Sequence, residues 1–240
     1  MWSASRLRTH RIGGFVLKYF LLTKKTDWGA KAAALARVLL GDDVTWISGD
    51  SLEPLPDQIL DHHEKGSLIS FLSPWIIPTN VLARQALAIN FHPGSSEYPG
   101  IGCYNFAIYE GATSYGATCH HMAPRVDSGP IILERRFRCL PNETVEGLKL
   151  RTMVLMLGMC HDILCKVATG EKLPASEITW TRKPFTRKQL NELGRVTLNM
   201  PREEIERRVR ASTYPGFPGA SILVQGQTFV APVPQREPLA

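Results

Sequence analysis

Two polar side chains close an otherwise apolar segment near the middle of the chain. Asn90 and His92 stand two residues apart at the end of the run that begins at Ala88, and side chains at that spacing share one face of a β-strand. Pro93 and Gly94 end strand pairing, so both side chains should lie at the carboxyl end of the strand, where open parallel sheets bind ligands. An amide and an imidazole donate hydrogen bonds, and an imidazole also carries protons near neutral pH. The alternative is a structural strand end, with a hydrogen-bonded histidine and a capping asparagine.

An acidic residue stands in a later loop. Asp127 precedes Ser128 and Gly129, and a glycine is free to adopt backbone shapes that other residues resist. An aspartate before Ser-Gly is commonly turn chemistry. Beside a histidine, however, a carboxylate raises the basicity of the ring and fixes its tautomer. The significance of Asp127 therefore depends on whether the fold brings it to His92.

Taken in order, these segments resemble the formyltransferase family. In that family an Asn-x-His-Pro motif is followed by a Pro-Gly element, a helix, a strand containing Gly-x-Thr and an Asp-x-Gly loop. The corresponding segments here are Asn90–Pro93, Tyr98–Gly100, Ala107–Gly111, Tyr115–Thr118 and Asp127–Gly129. The resemblance is strong over residues 89–133 and extends weakly over most of the core. One departure, Ser95-Ser96-Glu97 where many members have Leu-Leu-Pro and an arginine, leaves the shape of the acceptor pocket open.

The resemblance implies 10-formyltetrahydrofolate as the formyl donor and a primary amine as the acceptor. Attack of the amine on the formyl carbon builds a tetrahedral oxyanion, to which Asn90 and His92 would donate hydrogen bonds. Asp127 would orient His92 and balance its charge, so that His92 could also take the proton lost by the ammonium. The candidate catalytic residues are therefore Asn90, His92 and Asp127.

The same resemblance implies a pocket for the pterin ring beside these residues, bounded by residues 71–78 and 123–126. The candidate folate-binding residues are Ser73, Trp75, Ile76, Ile77, Pro78, Arg125 and Val126. Trp75 could equally be a core anchor. His120 and His121 are adjacent, so a strand sends them to opposite faces; either one could line the site or serve the structure.

The acceptor is inferred from the length and composition of the segment after the core. About 55 residues remain after residue 185, too few for the barrel-like second domain of the initiator-tRNA enzymes. The chain is instead most similar to the sugar-nucleotide N-formyltransferases, which modify amino-deoxysugars for bacterial surface polysaccharide such as lipopolysaccharide O-antigen. The candidate acceptor-binding residues are Arg182, Lys183 and Arg210 for a diphosphate and Tyr104 and Tyr214 for a base. A methionyl-tRNA or other amine formyltransferase and a 10-formyltetrahydrofolate hydrolase remain alternatives.

The elements needed to position these residues are those of an α/β fold. Strands are predicted over 15–23, 44–48, 67–71, 87–91, 117–122 and 131–137, and helices over 30–40, 57–64 (helix or loop), 79–86 and about 144–169. Strands that alternate with helices predict a Rossmann-like, mostly parallel sheet with flanking helices. A helix from Pro201 to about Ser212 and a hairpin of 221–224 with 228–230 should come after them. We therefore predict a catalytic core over 1–185 and a small extension over 186–240.

Composition and charge exclude several other classes. With 44% hydrophobic and 21% charged residues the chain is globular, and no apolar run approaches the roughly 20 residues that cross a bilayer. Thr23-Lys24-Lys25 follows the first apolar run in place of a secretory cleavage pattern, so we expect a cytoplasmic protein. The five cysteines include no Cys-x-x-Cys pair, so neither a disulfide framework nor a metal site is expected.

The net charge of +6 suits nucleic acid or any polyanionic small molecule. The most basic predicted helix also carries acidic residues, which makes it a mixed-charge solvated face; its charged residues are Arg202, Glu203, Glu204, Glu206, Arg207, Arg208 and Arg210. We therefore expect two small-molecule partners, a sugar nucleotide and a folate, and no binding of nucleic acid or membrane. A homodimer is a possible assembly. His62 and His63, beside Asp61, are interpreted as a surface helix end.

Overall fold

The computed structural model describes residues 11–12, 15–16, 18–61 and 65–233. Its strands are β1 (Arg11–Ile12), β2 (Phe15–Val16), β3 (Tyr19–Lys24), β4 (Val44–Gly49), β5 (Ser67–Phe71), β6 (Leu87–His92), β7 (Ser114–His121), β8 (Ile131–Arg138), β9 (Arg195–Val196), β10 (Ser221–Val224) and β11 (Gln227–Val230). Its helices are α1 (Asp27–Leu40), α2 (Asp57–Leu60), α3 (Thr79–Leu82), α4 (Cys103–Glu110), α5 (Val145–Thr169), α6 (Arg187–Leu193) and α7 (Arg202–Ser212).

A six-stranded sheet with the order β4-β3-β5-β6-β7-β8 forms the centre of the fold. The strands from β4 to β6 are parallel, whereas β7 runs antiparallel to both β6 and β8. The fold class predicted from the alternation of strands and helices, a mostly parallel α/β sheet with flanking helices, is confirmed. Short crossover connections make β3, β4, β5 and β6 parallel, so their carboxyl ends meet at one edge of the sheet.

Helices cover both faces of this sheet. On one face α1 and α5 bury small and flexible side chains such as Ala32 and Met156 against Leu21. On the other, Ile59 of α2 and Val81 of α3 pack with Leu22. Leu21 and Leu22 are both fully buried although they point to opposite faces, which is why β3 is continuously apolar rather than alternating.

The longest helix begins and ends where the sequence predicts. The Thr144 side chain accepts a hydrogen bond from the Gly147 N–H at 3.0 Å, and Gly170 ends the helix with a φ of 70°. Among the described residues, α5 alone is long and apolar enough by length and composition to cross a membrane. Its buried residues, including Met159 and Ile163, pack in the core against the sheet, as in the central helix of an ordinary α/β domain.

The segment after residue 185 builds a small second sheet. β10 pairs antiparallel with β11 and parallel with β9, in the order β11-β10-β9. Gln225 and Gly226 join the hairpin with φ values of 49° and 83°, the left-handed conformation that two-residue hairpin turns require. α7 packs on α4, where the Asn105 amide donates to the Ala211 carbonyl at 2.8 Å. The predicted boundary at residue 185 stays a prediction.

Several element bounds differ from those predicted. The run 15–23 contains two strands, β2 and β3, and α3 ends at Leu82 instead of residue 86. α6 and β9 were not predicted, because α6 contains only two apolar residues and β9 only two residues in all. α2 ends at Leu60, and His62 and His63, interpreted as a surface helix end, lie outside the described residues.

Candidate active site

The carboxyl end of β6 carries both polar side chains that the sequence indicated. In the sheet, Asn90 lies opposite Ser70 of β5 and His120 of β7, and His92 lies opposite Thr118. Cross-strand partners share a face, so His120 joins Asn90 and His92 on the same side of the sheet. Sequence spacing alone could not indicate this, because the partner of a strand is set by the tertiary fold.

Asp127 lies at the centre of these side chains. One carboxylate oxygen, Oδ2, lies 3.1 Å from Nδ1 of His92 and accepts a hydrogen bond from the Gly100 N–H at 2.8 Å. The other, Oδ1, lies 3.2 Å from Nε2 of His120. The three ionisable side chains are at most 5% exposed, and Asp127 has a φ of 43°, an uncommon backbone conformation. The loop is thus held in a strained shape that puts one carboxylate between two imidazoles.

The surroundings of Asp127 favour its ionised form. Burial alone would raise the pKa of the carboxyl group. The opposing effects of His92, His120 and the Gly100 N–H outweigh burial and hold the pKa of Asp127 well below its ordinary value. The carboxylate is therefore a fixed negative charge in this buried cluster.

His92 meets a hydrogen-bond acceptor at each ring nitrogen. Nε2 lies 2.8 Å from the Tyr98 carbonyl oxygen, and Nδ1 faces the Asp127 carboxylate. A carbonyl and a carboxylate only accept, so the doubly protonated ring satisfies both contacts at once. Gly94 makes room for this arrangement, because a Cβ atom at that position would lie 2.5 Å from Nε2. The His92 ring is thus held in one orientation by an acceptor at each nitrogen.

Asn90 is oriented by the same cluster. Its Nδ2 lies 3.1 Å from Nε2 of His120 and 3.4 Å from Oδ1 of Asp127. The side-chain oxygen could not take this place, since it would face the carboxylate. Nε2 of His120 and Oδ1 of Asp127 lie only 3.2 Å apart, within hydrogen-bond distance of each other, and are therefore on one side of Nδ2. One N–H of the amide points to that side, and the second remains available to a ligand.

An aromatic side chain that the sequence did not single out covers both histidines. The ring of Trp180 lies edge-on to His120 and His92, with centroid distances of 5.1 and 5.8 Å. Its indole N–H donates to the Gly129 carbonyl at 2.8 Å, which fixes the ring. Trp180 belongs to the irregular segment between α5 and α6. A tryptophan in a stretch without helical or strand periodicity was the only local signal.

A cleft of about 320 Å³ opens onto Asn90, His92 and Asp127; we call it the reaction-centre cleft. Of the candidate folate-binding residues, it is lined by Ser73, Trp75, Ile76, Ile77, Arg125 and Val126. Pro78 instead stands at the N-cap of α3. The Trp75 indole N–H donates to the Glu53 carbonyl at 3.0 Å, so Trp75 is anchored to the β4 side as well as lining the cleft.

A second cleft, of about 670 Å³, adjoins the first; we call it the Tyr104 cleft. The two clefts share the lining residues Pro93, Gly100 and Ile101. The Tyr104 cleft is lined by two of the candidate acceptor-binding residues, Tyr104 and Tyr214. It also contains four cations that the sequence did not indicate: Lys24, Lys149, Arg187 and Arg195.

The remaining candidate acceptor-binding residues lie elsewhere. Arg182 forms an ion pair with Glu110 at 2.6 Å, and the neighbouring Lys183 is exposed. Arg210 donates to the Ile108 carbonyl at 3.3 Å and lines a different cleft, together with Arg138 and Arg151. The structure therefore does not bring Arg182 and Arg210 to the two tyrosines.

Among the described residues, neither metal ligands nor a reactive thiol accompany the cluster. Within residues 18–61 and 65–233, no group of three or more His, Cys, Asp or Glu side chains could hold a metal ion. Burial raises the pKa of the Cys103 thiol to about 12, far from the range in which a thiol is a nucleophile. The chemistry that the site supports is hydrogen bonding and charge stabilisation by Asn90, His92 and Asp127.

In sequence, the chain resembles known formyltransferases. Residues 70–156 match the formyl transferase family model. The chain is 23% identical over 184 residues to GDP-perosamine N-formyltransferase of Brucella melitensis biotype 1, covering 74% of the chain and 64% of that protein. It is 29% identical over 153 residues to methionyl-tRNA formyltransferase of Roseiflexus castenholzii, covering 61% of the chain and 48% of that protein. The chain thus spans less than two thirds of the length of these curated relatives.

Solved structures share the fold. A sugar N-formyltransferase from Shewanella superposes with a TM-score of 0.74 at 16% identity, covering 93% of the chain and 99% of that structure. An N-formyltransferase from Helicobacter canadensis, in complex with folinic acid and dTDP-3-aminofucose, superposes with a TM-score of 0.67 at 14% identity, covering 88% of the chain and 85% of that structure.

Proposed function

We propose that this chain, whose residues 70–156 match the formyl transferase family, transfers the formyl group of 10-formyltetrahydrofolate to the primary amine of a nucleotide-linked amino-deoxysugar. The observation that carries the proposal is that Asn90, His92 and Asp127 lie where two clefts adjoin. One substrate in each cleft would meet its partner at the shared residues around Gly100.

The reaction-centre cleft has the features that a folate ring requires. A flat pterin needs apolar contacts on its faces and hydrogen-bonding groups at its edge. Ile76 and Val126 are exposed, at 69% and 45%, on the two segments that bound the cleft, so they are free to cover a ring. Backbone groups of those segments would meet the ring edge. The folinic acid bound by the Helicobacter enzyme is a ligand of this kind.

The cluster supplies the hydrogen bonds and charge that the tetrahedral intermediate needs. As the amine nitrogen attacks, a new C–N bond forms and electron density moves onto the formyl oxygen, to which Asn90 would donate its second N–H. A single donor of this type is worth about 3–4 kcal/mol of barrier. Asp127, whose Oδ2 lies 3.1 Å from Nδ1 of His92, would orient that ring beside the intermediate and balance the charge that develops there. Collapse of this intermediate breaks the bond from the formyl carbon to N10 of the folate, and the departing N10 takes up the proton that the amine loses.

The Tyr104 cleft suits a sugar nucleotide. A diphosphate needs cationic partners and a base favours an aromatic face. Lys149 donates to the Tyr214 hydroxyl at 2.8 Å and lies 4.6 Å from the centre of its ring, so cation and aromatic face are already joined. Arg187 and Arg195 also line the cleft. The Brucella relative acts on GDP-perosamine and the Helicobacter enzyme binds dTDP-3-aminofucose, both nucleotide-linked aminosugars by name.

Finer assignments come from this substrate class. A formylated aminosugar nucleotide is a building block for surface polysaccharide such as lipopolysaccharide O-antigen, and we expect it to be made in the cytoplasm. We also expect a homodimer, because apolar side chains of the C-terminal hairpin, Leu223, Phe229 and Val230, are more than half exposed.

The experiment is to incubate the protein with 10-formyltetrahydrofolate and a panel of dTDP-, UDP- and GDP-linked 3- and 4-amino-deoxysugars. Mass spectrometry should detect one added formyl group on a sugar amine. Methionyl-tRNA serves as the competing acceptor, and a reaction without acceptor measures hydrolysis of the donor. The proposal is wrong if methionyl-tRNA is formylated while every aminosugar nucleotide stays inert, or if water is the only acceptor.

A further inference from the structure

A third cleft, of about 780 Å³, lies apart from the two that the proposed reaction uses; we call it the Arg210 cleft. Its walls come from the end of α4, the end of β8 with the loop that follows it, the first turns of α5 and Arg210 of α7. Within the described part of the chain it shares no lining residue with the reaction-centre cleft or the Tyr104 cleft. A ligand in this cleft would therefore be additional to the two substrates of the proposed reaction.

Three arginines from different elements line the Arg210 cleft: Arg138 of β8, Arg151 of α5 and Arg210 of α7. Glu143 is the one carboxylate among the described lining residues, so two positive charges stay uncompensated there. The Glu143 side chain is 7% exposed and already accepts hydrogen bonds from the Arg151 guanidinium and, at 3.1 Å, from the Leu140 N–H. The cleft thus carries an excess of positive charge that its own carboxylate does not remove.

Acidic side chains on the neighbouring helices pair with other cations. Glu110, at the end of α4, forms an ion pair with Arg182 at 2.6 Å, and Glu204 pairs with two arginines of its own helix, α7. Within residues 18–61 and 65–233, neither Arg138 nor Arg210 forms an ion pair. A bound anion would supply the negative charge that these two side chains lack.

Two of the three guanidinium groups are held in place by the protein. Arg210 donates to the Ile108 carbonyl at 3.3 Å. Arg151 donates to the Arg138 carbonyl at 2.8 Å, and its guanidinium lies 4.4 Å from the centre of the Phe137 ring. These contacts use only part of the N–H donors of each group, and the others have no partner among the described residues. Guanidinium groups with free donors match the oxygens of a phosphate, which can accept two hydrogen bonds from one arginine.

Apolar side chains form the rest of the Arg210 cleft. Ile108 and Leu148 are buried in its wall, whereas Leu140 is 57% exposed. A phosphate ester carries about 1.5–2 negative charges at neutral pH, close to the two that the cleft leaves uncompensated. An organic group attached to that phosphate could cover Leu140 and bury its apolar surface. The lining therefore suits a small molecule that is phosphorylated at one end and apolar at the other.

We propose that the Arg210 cleft is a binding site for a small organic phosphate. Its phosphoryl oxygens accept hydrogen bonds from Arg138, Arg151 and Arg210, and its organic part lies against Leu140. Arg210, which the sequence suggested as a ligand for the diphosphate of the acceptor, belongs in this proposal to a separate site.

The first test measures binding of phenyl phosphate by isothermal titration calorimetry. We expect saturable binding to one site, weaker binding of inorganic phosphate because it lacks the organic part, and no binding of succinate. Arg138→Ala and Arg210→Ala should each raise Kd for phenyl phosphate about tenfold or more, because each removes hydrogen bonds between charged groups. Arg202→Ala is the matched control: Arg202 lies on the same helix as Arg210, is 85% exposed and is not among the lining residues, so Kd should not change.

A second test locates the ligand with the cysteines of the wild-type protein. Cys139 lines the Arg210 cleft, and Cys165 of α5 does not; both are partly exposed, whereas Cys103, Cys119 and Cys160 are buried. Phenyl phosphate should slow alkylation of Cys139 by a maleimide and leave that of Cys165 unchanged, as measured by mass spectrometry of the labelled peptides. Because this test needs no substitution, it applies even where a variant does not fold.

Several results would overturn the proposal. These are the absence of saturable binding, equal affinity for succinate and phenyl phosphate, or equal increases in Kd for Arg202→Ala and Arg210→Ala. Binding that Arg187→Ala abolishes, and that Arg138→Ala and Arg210→Ala leave intact, would place the phosphate in the Tyr104 cleft instead. An unchanged alkylation rate of Cys139 at saturating phenyl phosphate would likewise contradict the proposed site.

Discussion

The two adjoining clefts differ in whether their ionisable side chains already have partners within the protein. In the reaction-centre cleft, His92, Asp127 and His120 contact one another and their neighbours in a buried cluster, with every contact between 2.8 and 3.4 Å. In the Tyr104 cleft, Arg187 and Arg195 are exposed, and neither forms an ion pair within the described part of the chain. The first is organised before substrate arrives, as transition-state stabilisation requires. The second leaves its cations for a ligand to neutralise.

Of all substitutions in the two clefts, those of Asn90 and His92 should lower kcat the most. We expect Asn90→Ala and His92→Ala each to lower kcat by at least about a hundredfold while folate binding stays largely intact, because both side chains act on the developing oxyanion. Steady-state kinetics, with donor affinity measured by fluorescence titration, give the two numbers. Near-normal turnover in either variant would contradict the assigned roles.

Asp127 should affect both turnover and stability. Asp127→Asn removes the carboxylate charge that lies against His92 and His120. Breaking a buried pair of this kind typically costs about 3–5 kcal/mol of unfolding free energy. Because folding lowers the pKa of Asp127 from its ordinary 3.8, its stabilisation is complete above that pH and is lost as the pH falls through the lower folded-state value. Chemical denaturation at several pH values should therefore show a gap between wild type and variant that closes only in strong acid. A gap that is constant down to the acid limit would show that the charge of Asp127 is not what stabilises the fold.

Substitutions in the Tyr104 cleft should weaken binding of the sugar nucleotide and leave turnover nearly unchanged. We expect Arg187→Ala to raise KM for the sugar nucleotide about tenfold with little change in kcat, since one phosphate contact is worth roughly 1–2 kcal/mol. Lys188 is the matched control: it is the next residue on α6, its side chain is 87% exposed, and it lies 4.0 Å from Glu192. If Lys188→Ala raises KM as much as Arg187→Ala, the increase in KM comes from the loss of positive charge in general, and Arg187 is not part of a phosphate site in the cleft.

The smallest effect should come from metal removal. The proposed reaction uses only hydrogen bonds and fixed charges, so exhaustive chelation should leave kcat and KM unchanged in metal-free buffer. Activity assays before and after dialysis against a chelator provide the measurement. Loss of activity that added zinc restores would overturn the mechanism in the reaction-centre cleft.

The sequence predicted the reaction-centre cleft better than the Tyr104 cleft. The shared face of Asn90 and His92 could be predicted because side chains alternate along a strand, and their place at the strand end because Pro93 stops the pairing. Both rules act within a few residues. Asp127 could be indicated only by a family motif, since its approach to His92 depends on a strained loop. His120 depends on which strand pairs with β6, and Trp180 on the path of an irregular segment. Neither is encoded in local periodicity.

The Tyr104 cleft depends on contacts between distant parts of the chain. Tyr104 lies on α4 and Tyr214 follows α7, and both were indicated as candidate stacking faces for a base. Arg187 belongs to α6, a helix whose seven residues contain only two apolar side chains and so give little periodic signal. Arg182 is paired with Glu110, a partner 72 residues away that no spacing rule predicts.

The most direct test of the account is a crystal structure of the protein with folinic acid and a nucleotide-linked aminosugar bound together. We expect the pterin ring between Ile76 and Val126, the base in the Tyr104 cleft, and the sugar amine near Gly100 with the formyl group facing Asn90. A sugar nucleotide bound outside the Tyr104 cleft, or an amine that cannot reach the Asn90 side of the reaction-centre cleft, would contradict it.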